Sequence, residues 1–183
     1  MSTADTKPGI QLVLFDVDGV LTDGRLHMTG HGEFMKSFHA KDGVAIALLR
    51  AHGVRSGILS GKHSDALQYR AESLGMDVLS TGRHDKRVAY EQIKADQGLL
   101  DCQIAYVGDD INDLPVIDVV GLSYAPADAH ALVRQQVDHV VGCVGGAGVA
   151  RAVVEHLLLR SGLSIDDIYA PLLAQWSHHH VVQ

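Results

Sequence analysis

Cysteine is nearly missing from this chain: 183 residues hold only Cys102 and Cys143, far apart and without paired-ligand spacing. A disulfide framework and a cysteine-based zinc site are therefore not expected, and a reducing, cytoplasmic setting is. A surplus of basic residues is missing too. The 15 lysines and arginines face 22 aspartates and glutamates, a formal net charge of -7 with no long basic run. That argues against nucleic acid or an anionic membrane surface as partner. An anionic small molecule stays compatible if a metal ion and a few lysines reverse the charge locally. No apolar run approaches membrane-spanning length, and Met1 to Gly9 holds no apolar signal core, so a soluble intracellular protein is expected. Repeats and low-complexity linkers are absent as well. What is abundant is apolar content, 46% of the chain, enough to bury one full core. The expected organisation is a single domain over residues 1–160 and a carboxyl-terminal tail over 161–183, where the pattern fades.

Short β-type runs alternate with apolar repeats at helical spacing, which predicts an α/β fold: a Rossmann-like three-layer sandwich with a mainly parallel sheet. The strand candidates are Ile10 to Phe15, Val54 to Leu59, Asp77 to Leu79, Ile104 to Val107, Val120 to Ser123 and His139 to Val141. Helical spacing relates Val44, Leu48 and Ala51, then Leu67, Ala71 and Leu74, then Val88 with Ile93, then Val149, Val153 and Leu157. Gly53, Gly75 and Gly98 stand where helix stops belong. One segment breaks the alternation. Residues 24–39 hold Leu26, Met28, Phe34 and Phe38 around Thr29-Gly30-His31-Gly32, and this predicts a β-hairpin inserted after the first strand, overhanging whatever site that strand carries. An isolated ribbon this short is poorly stable, so it is expected to pack against something, a second copy included.

Function in such sheets gathers at the carboxyl ends of strands. Leu12-Val13-Leu14-Phe15 runs into Asp16-Val17-Asp18-Gly19, two carboxylates on alternate residues followed by a glycine that lets the chain bend away. Two acids so close repel, so one keeps a proton or both share a cation. That arrangement suits an aspartate nucleophile with a neighbouring general acid/base and a divalent metal, although a strand ending in a polar turn would read similarly. A second strand end carries Gly108-Asp109-Asp110-Ile111-Asn112-Asp113. A hard cation such as Mg2+ takes a few carboxylates, which Asp16 and Asp109 could supply together with the backbone carbonyl of Asp18; Asp110 or Asn112 could equally be a helix cap. Ser60-Gly61-Lys62 follows a third strand, where a hydroxyl and free N-H groups can hold phosphate oxygens. Lys86 opens a helix, the wrong end for a cation unless it faces an anion or is simply solvated.

In order, acid-x-acid, Ser, Lys and Gly-Asp-Asp-x-x-Asp, the chain resembles the haloacid dehalogenase phosphatase superfamily across roughly Gln11 to Leu159. Within it, Phe15-Asp-Val-Asp-Gly-Val-Leu-Thr-Asp-Gly, the hairpin, Phe38-His-Ala-Lys-Asp42-Gly43, Val107-Gly-Asp-Asp with Asp113-Leu-Pro115, and Gly145-Gly146-Ala-Gly148 with Arg151 look like the capless 3-deoxy-D-manno-octulosonate 8-phosphate phosphatases. The resemblance implies the substrate class, Mg2+ and a homotetramer built through the hairpin. It implies Asp16 as the nucleophile at phosphorus and Asp18 as the acid that protonates the leaving sugar oxygen, then as the base that activates water. The metal set it implies is Asp16, Asp18 and Asp109. Ser60, Gly61 and Lys86 would hold the phosphoryl oxygens, Asp113 would order Lys86 or a metal-bound water, and Lys62, Asp42 and Gly43 would stand near the substrate or behind the site.

Two positions depart from the pattern. Lys62 stands where arginine is frequent, and Ala147 where arginine or glutamate is; a lysine cannot grip a carboxylate with a planar fork. A nonulosonate 9-phosphate phosphatase on the same scaffold is thus the alternative substrate reading. A signalling receiver domain would place its paired acids, phosphorylated aspartate and lysine in another order, and a non-catalytic oligomerising module would have lost Asp16 or Asp18. The His178 to His180 triplet is expected to face solvent.

Overall fold

Strands buried on both faces should be apolar throughout rather than alternating, and the central strands here obey that rule. In the computed structural model, which describes residues 9–179 and side chains as far as residue 177, β1 (Leu12–Phe15) and β6 (Ile104–Val107) are buried at every position. The element order continues with β2 (His27–Thr29), β3 (Gly32–Met35), α1 (Ala40–Ala51), β4 (Arg55–Leu59), α2 (Asp65–Leu74), β5 (Val78–Ser80) and α3 (Lys86–Gln97). After β6 come α4 (Leu114–Ile117), β7 (Leu122–Ala125), α5 (Ala131–Gln136), β8 (His139–Val140), α6 (Val149–Arg160) and α7 (Ile165–His179).

Six strands form one parallel sheet in the order β5-β4-β1-β6-β7-β8. Side chains of successive strand residues point to opposite faces. Val13 and Phe15 therefore enter a core shared with α1, α2, α6 and α7, and Leu12 and Leu14 enter one shared with α3, α4 and α5. The connections leave β1 toward β4 on one side and return to β6 on the other, so the crevice of the sheet opens at the carboxyl end of β1. Asp16 continues the β1 ladder through its N-H to the Val107 carbonyl at 2.9 Å. In the alternation it shares the face of Leu12 and Leu14, the side on which α3 begins.

The fold is the expected one; several strand limits shift by one or two residues, as at β1, which starts at Leu12 rather than Ile10, and two departures have a visible cause. Strand β7 starts at Leu122 rather than Val120, because Val119 and Val120 donate to the Val116 carbonyl and finish the turn of α4. Residues expected to form a tail from Ser161 include the fifteen-residue α7, whose Ile168 and Leu172 are buried in the core beside α1 and α6. The His52 ring meets the Ile168 carbonyl at 3.0 Å, and Arg151 donates to the Tyr169 hydroxyl at 2.6 Å. A narrow apolar stripe interrupted by Pro171 concealed this helix. The hairpin of β2 and β3 forms its own two-stranded sheet and leaves Leu26, Met28, Phe34 and Met35 exposed.

Candidate active site

The cleft at the end of β1 has a volume of about 260 Å3, lined by Asp16, Asp18, Gly24, Ser60, Gly61, Lys62, Lys86, Asp109, Asp110 and Asn112. A larger groove of about 600 Å3 runs between β5 and α3, but none of the residues that converge on the cleft lines it. A third space, of about 410 Å3, shares Gly61 and Lys62 with the cleft and extends it beneath the hairpin to Leu26, Met28 and Glu33.

The floor of the cleft is a knot of buried charge. Lys86 opens α3 behind its cap Asp85, whose carboxylate accepts from the Val88 N-H. The Lys86 ammonium lies 2.9 Å from Asp16 Oδ2 and 2.5 Å from Asp113 Oδ1, with the Tyr106 hydroxyl 3.4 Å away. Asp113, fully buried, accepts also from Tyr106 at 2.5 Å and from the N-H groups of Asp109 and Asp110 at 2.9 and 3.1 Å. Those bonds fold the Asp109-Asp110 loop back on itself. They need Gly108, where a Cβ would stand 2.6 Å from the Asp113 side chain. Asp113 is therefore saturated by donors, and its role in this geometry is to hold Lys86 and the loop.

Asp16 and Asp109 are not saturated. Burial pushes the Asp16 carboxyl up to about 6, helped by Asp113 and opposed by Lys86. Burial, then Asp16 and Asp113, push Asp109 up to about 8. Asp109 Oδ1 is buried without a hydrogen-bond partner among the described residues. Asp16, Asp109 and Asp113 present oxygens within 4.8 Å of one another, and the Lys86 ammonium pairs with Asp16 and Asp113. One cation cannot offset three carboxylates, and an orphaned carboxylate oxygen beside Asp16 is what a second cation would satisfy. An all-oxygen donor set with few carboxylates fits a hard divalent ion. Gly19, at φ +86°, makes the approach possible: a Cβ there would lie 2.0 Å from Asp109 Oδ2.

The rim is looser. Asp18 sits on the turn closed by the N-H groups of Val20, Leu21 and Thr22 on the Val17 carbonyl. Its Oδ1 is 2.6 Å from Lys36 and its Oδ2 is 3.5 Å from Lys62. Burial works against charge on Lys36, but the bonds to Asp18 and Glu33 prevail and hold its ammonium above the ordinary lysine range. Ser60 is buried at the end of β4, and its hydroxyl accepts from the Lys62 N-H at 3.3 Å. An oxyanion in this cleft would meet Lys86, the Ser60 hydroxyl and the Gly61 turn, with the carboxylates of Asp16 and Asp18 lining the same cleft. That is equipment for transfer of an anionic group through a carboxylate.

Asp16, Asp18, Ser60, Gly61, Lys62, Lys86 and Asp109 thus line one cleft, with Asp113 directly behind. Asp42 and Gly43 are not brought to it. Asp42 accepts from the Arg151 N-H at 3.2 Å and caps α6, whose own cap position is Gly148, while Gly43 packs toward Leu74 and Arg70. Sequence reasoning missed Lys36 and Tyr106. The signals were there: a lysine at the end of an apolar hairpin, and a hydroxyl on a strand buried on both faces. The triplet His178 to His180 lies outside the described side chains.

Residues 59–153 match the family model of haloacid dehalogenase-like hydrolases. The chain belongs to that class of enzymes, whose fold and acid-lysine site it carries. Within it the chain belongs to the 3-deoxy-D-manno-octulosonate 8-phosphate phosphatase family. It is 40% identical to that phosphatase of Haemophilus influenzae over 155 residues, 85% of this chain and 86% of the relative. It is 37% identical to that of Escherichia coli over 153 residues, 84% and 81% of the two chains. Among solved structures, the Moraxella catarrhalis phosphatase in complex with a magnesium ion, a phosphate ion and a KDO molecule matches at TM-score 0.79 and 30% identity, covering 82% of this chain and 86% of that one.

Proposed function

We propose that this enzyme hydrolyses 3-deoxy-D-manno-octulosonate 8-phosphate to the free sugar acid and inorganic phosphate, a step of lipopolysaccharide biosynthesis. The observation that carries the reading is the convergence of Asp16, Asp109 and Lys86 in one cleft, with Asp18 two residues beyond Asp16. Asp16 attacks phosphorus and becomes an aspartyl-phosphate. Asp18 gives its proton to the departing C8 oxygen, then takes one from the water that attacks the phosphorylated Asp16. Lys86, the Ser60 hydroxyl and the N-H groups near Gly61 hold the phosphoryl oxygens as negative charge redistributes. Asp113 keeps Lys86 pointed at Asp16. Asp16, Asp109 and the Asp18 carbonyl would hold Mg2+, which when bound neutralises charge on the phosphoryl group and on the two carboxylates.

The exposed Leu26, Met28, Phe34 and Met35 support assembly through the hairpin into a homotetramer, with a neighbour's hairpin closing the sugar pocket. The free thiols Cys102 and Cys143 support a cytoplasmic location. Lys62 at the pocket entrance would meet the sugar acid as a point charge. The test is phosphate release with and without Mg2+ from 3-deoxy-D-manno-octulosonate 8-phosphate, nonulosonate 9-phosphates and simple sugar phosphates, compared as kcat/KM. Preference for the octulosonate ester is expected. A nonulosonate-biased profile would reassign the substrate, and absence of Mg2+-dependent release from every ester would overturn the proposal.

A further inference from the structure

We infer that Lys36 is a positioning residue for Asp18, tying the orientation of that carboxylate to the hairpin. The inference rests on the proposed reading of Asp18 as the proton-transferring group. Lys36 leaves the end of β3, and its side chain is 2% exposed, a burial that lysine tolerates only with partners. Its Nζ lies 2.6 Å from Asp18 Oδ1 and 2.9 Å from Glu33 Oε1. Eighteen residues separate Lys36 from Asp18, so the bond joins two parts of the fold. Asp18 itself stands on a turn beyond the sheet, where strand pairing does not hold its side chain. Its other partner, Lys62, is 3.5 Å from Oδ2 and half exposed, a weak hold in water.

The asymmetry has a chemical consequence. With Oδ1 pinned by a buried ammonium, Oδ2, which meets only the half-exposed Lys62 among the described ion pairs, is left as the oxygen that can first deliver and then collect a proton. Loss of that orientation misplaces the proton by a fraction of its reach, which general acid-base chemistry does not tolerate. Glu33 sits on β3, so a shift of the hairpin shifts both partners of Lys36 relative to each other.

The test is a double-mutant cycle with Lys36→Met and Asp18→Asn, read on the sugar-acid phosphate and on p-nitrophenyl phosphate, whose leaving group needs no proton. Lys36→Met is expected to lower kcat on the sugar ester at least ~10-fold with KM within about threefold, because general acid-base catalysis is worth that much or more. The loss should be smaller on the aryl ester and should fall below about twofold once Asp18 is already asparagine. An equal loss in the Asp18→Asn background, or a loss confined to KM, overturns the inference. If Lys36→Met does not fold, as judged by melting and sizing, Glu33→Gln carries the same cycle, with a smaller kcat loss that again disappears beside Asp18→Asn. If wild-type enzyme releases no phosphate, or Asp16→Asn still does, the reading of the site fails and not the Lys36 link.

Discussion

The floor and the rim of the cleft are built on different physical terms. On the floor, Asp16, Lys86, Tyr106 and Asp113 are nearly sealed from solvent, and each is anchored at a strand end or helix start of the main sheet. On the rim, Asp18 and Lys62 keep contact with water, and the overhanging hairpin pairs only with itself while four apolar side chains face outward. A sealed floor makes every charge expensive to leave unpaired, so its geometry is held by penalty. A wet rim is held by a few directed bonds and by whatever the hairpin packs against, so it can differ between relatives at little cost to stability.

The sharpest way to break the floor is Asp16→Asn, expected to cost at least ~10³-fold in kcat because the proposed nucleophile is gone, with the fold retained in melting and sizing. Lys86→Met comes next. It leaves Asp16 and Asp113 buried beside each other without their ammonium, and about 3–5 kcal/mol of stability should be lost in urea unfolding. The same kind of removal on the half-exposed rim, Lys62→Met, should cost under about 1 kcal/mol and appear in KM instead. If the two substitutions destabilise equally, the distinction between floor and rim is wrong.

Metal removal probes the floor in another way. The folded-state values of about 6 for Asp16 and about 8 for Asp109 lie above the ordinary carboxyl value of 3.8, so the metal-free fold binds more protons than the unfolded chain. Stability from these groups is present in full at low pH and is lost as pH rises through the folded values. Melting of chelator-treated enzyme should therefore fall between pH 6.5 and 8, and Mg2+ should raise the melting point most at pH 8. Below pH 6.5 the sign reverses for His156, held below the ordinary histidine range by burial, His139 and Arg160; the window starts above it for that reason. A metal-free melting point that climbs from pH 6.5 to 8 would contradict the electrostatic account of the floor. The smallest effect on stability is expected at the hairpin, where Phe34→Asp should change the melting point of the isolated domain little but shift its size on a sizing column. An unchanged size would remove the hairpin from the assembly.

Much of this was legible in order of residues alone. Asp16, Asp109 and Ser60 each end an apolar run, and a run of that length and composition forms a strand buried on both faces, so their meeting at one sheet edge followed from parallel topology. Lys86 was legible because a cation at a helix start asks for an anion. Lys36 and Tyr106 were missed although each carried a signal, a lysine at an apolar hairpin exit and a hydroxyl on a doubly buried strand, because that signal names no partner. Helix α7 was missed because Pro171 interrupts a narrow stripe that buries Ile168 and Leu172. Asp42 was misjudged toward the site because its motif fits, while its carboxylate serves the amino end of α6.

Periodicity and strand-end chemistry, which depend on residues within a few positions of each other, determined by themselves a mainly parallel sheet with acids at its strand ends, and the order of the motifs, through its resemblance to a known family, added the class of reaction. Partner choice was decided only in three dimensions: Lys86 with Asp113 across 27 residues, Lys36 with Asp18 across 18, and α7 on α1 and α6. Those pairings depend on which loops the crossovers bring together. A charge finds its partner by burial, and burial is a property of the packed chain, not of any segment of it.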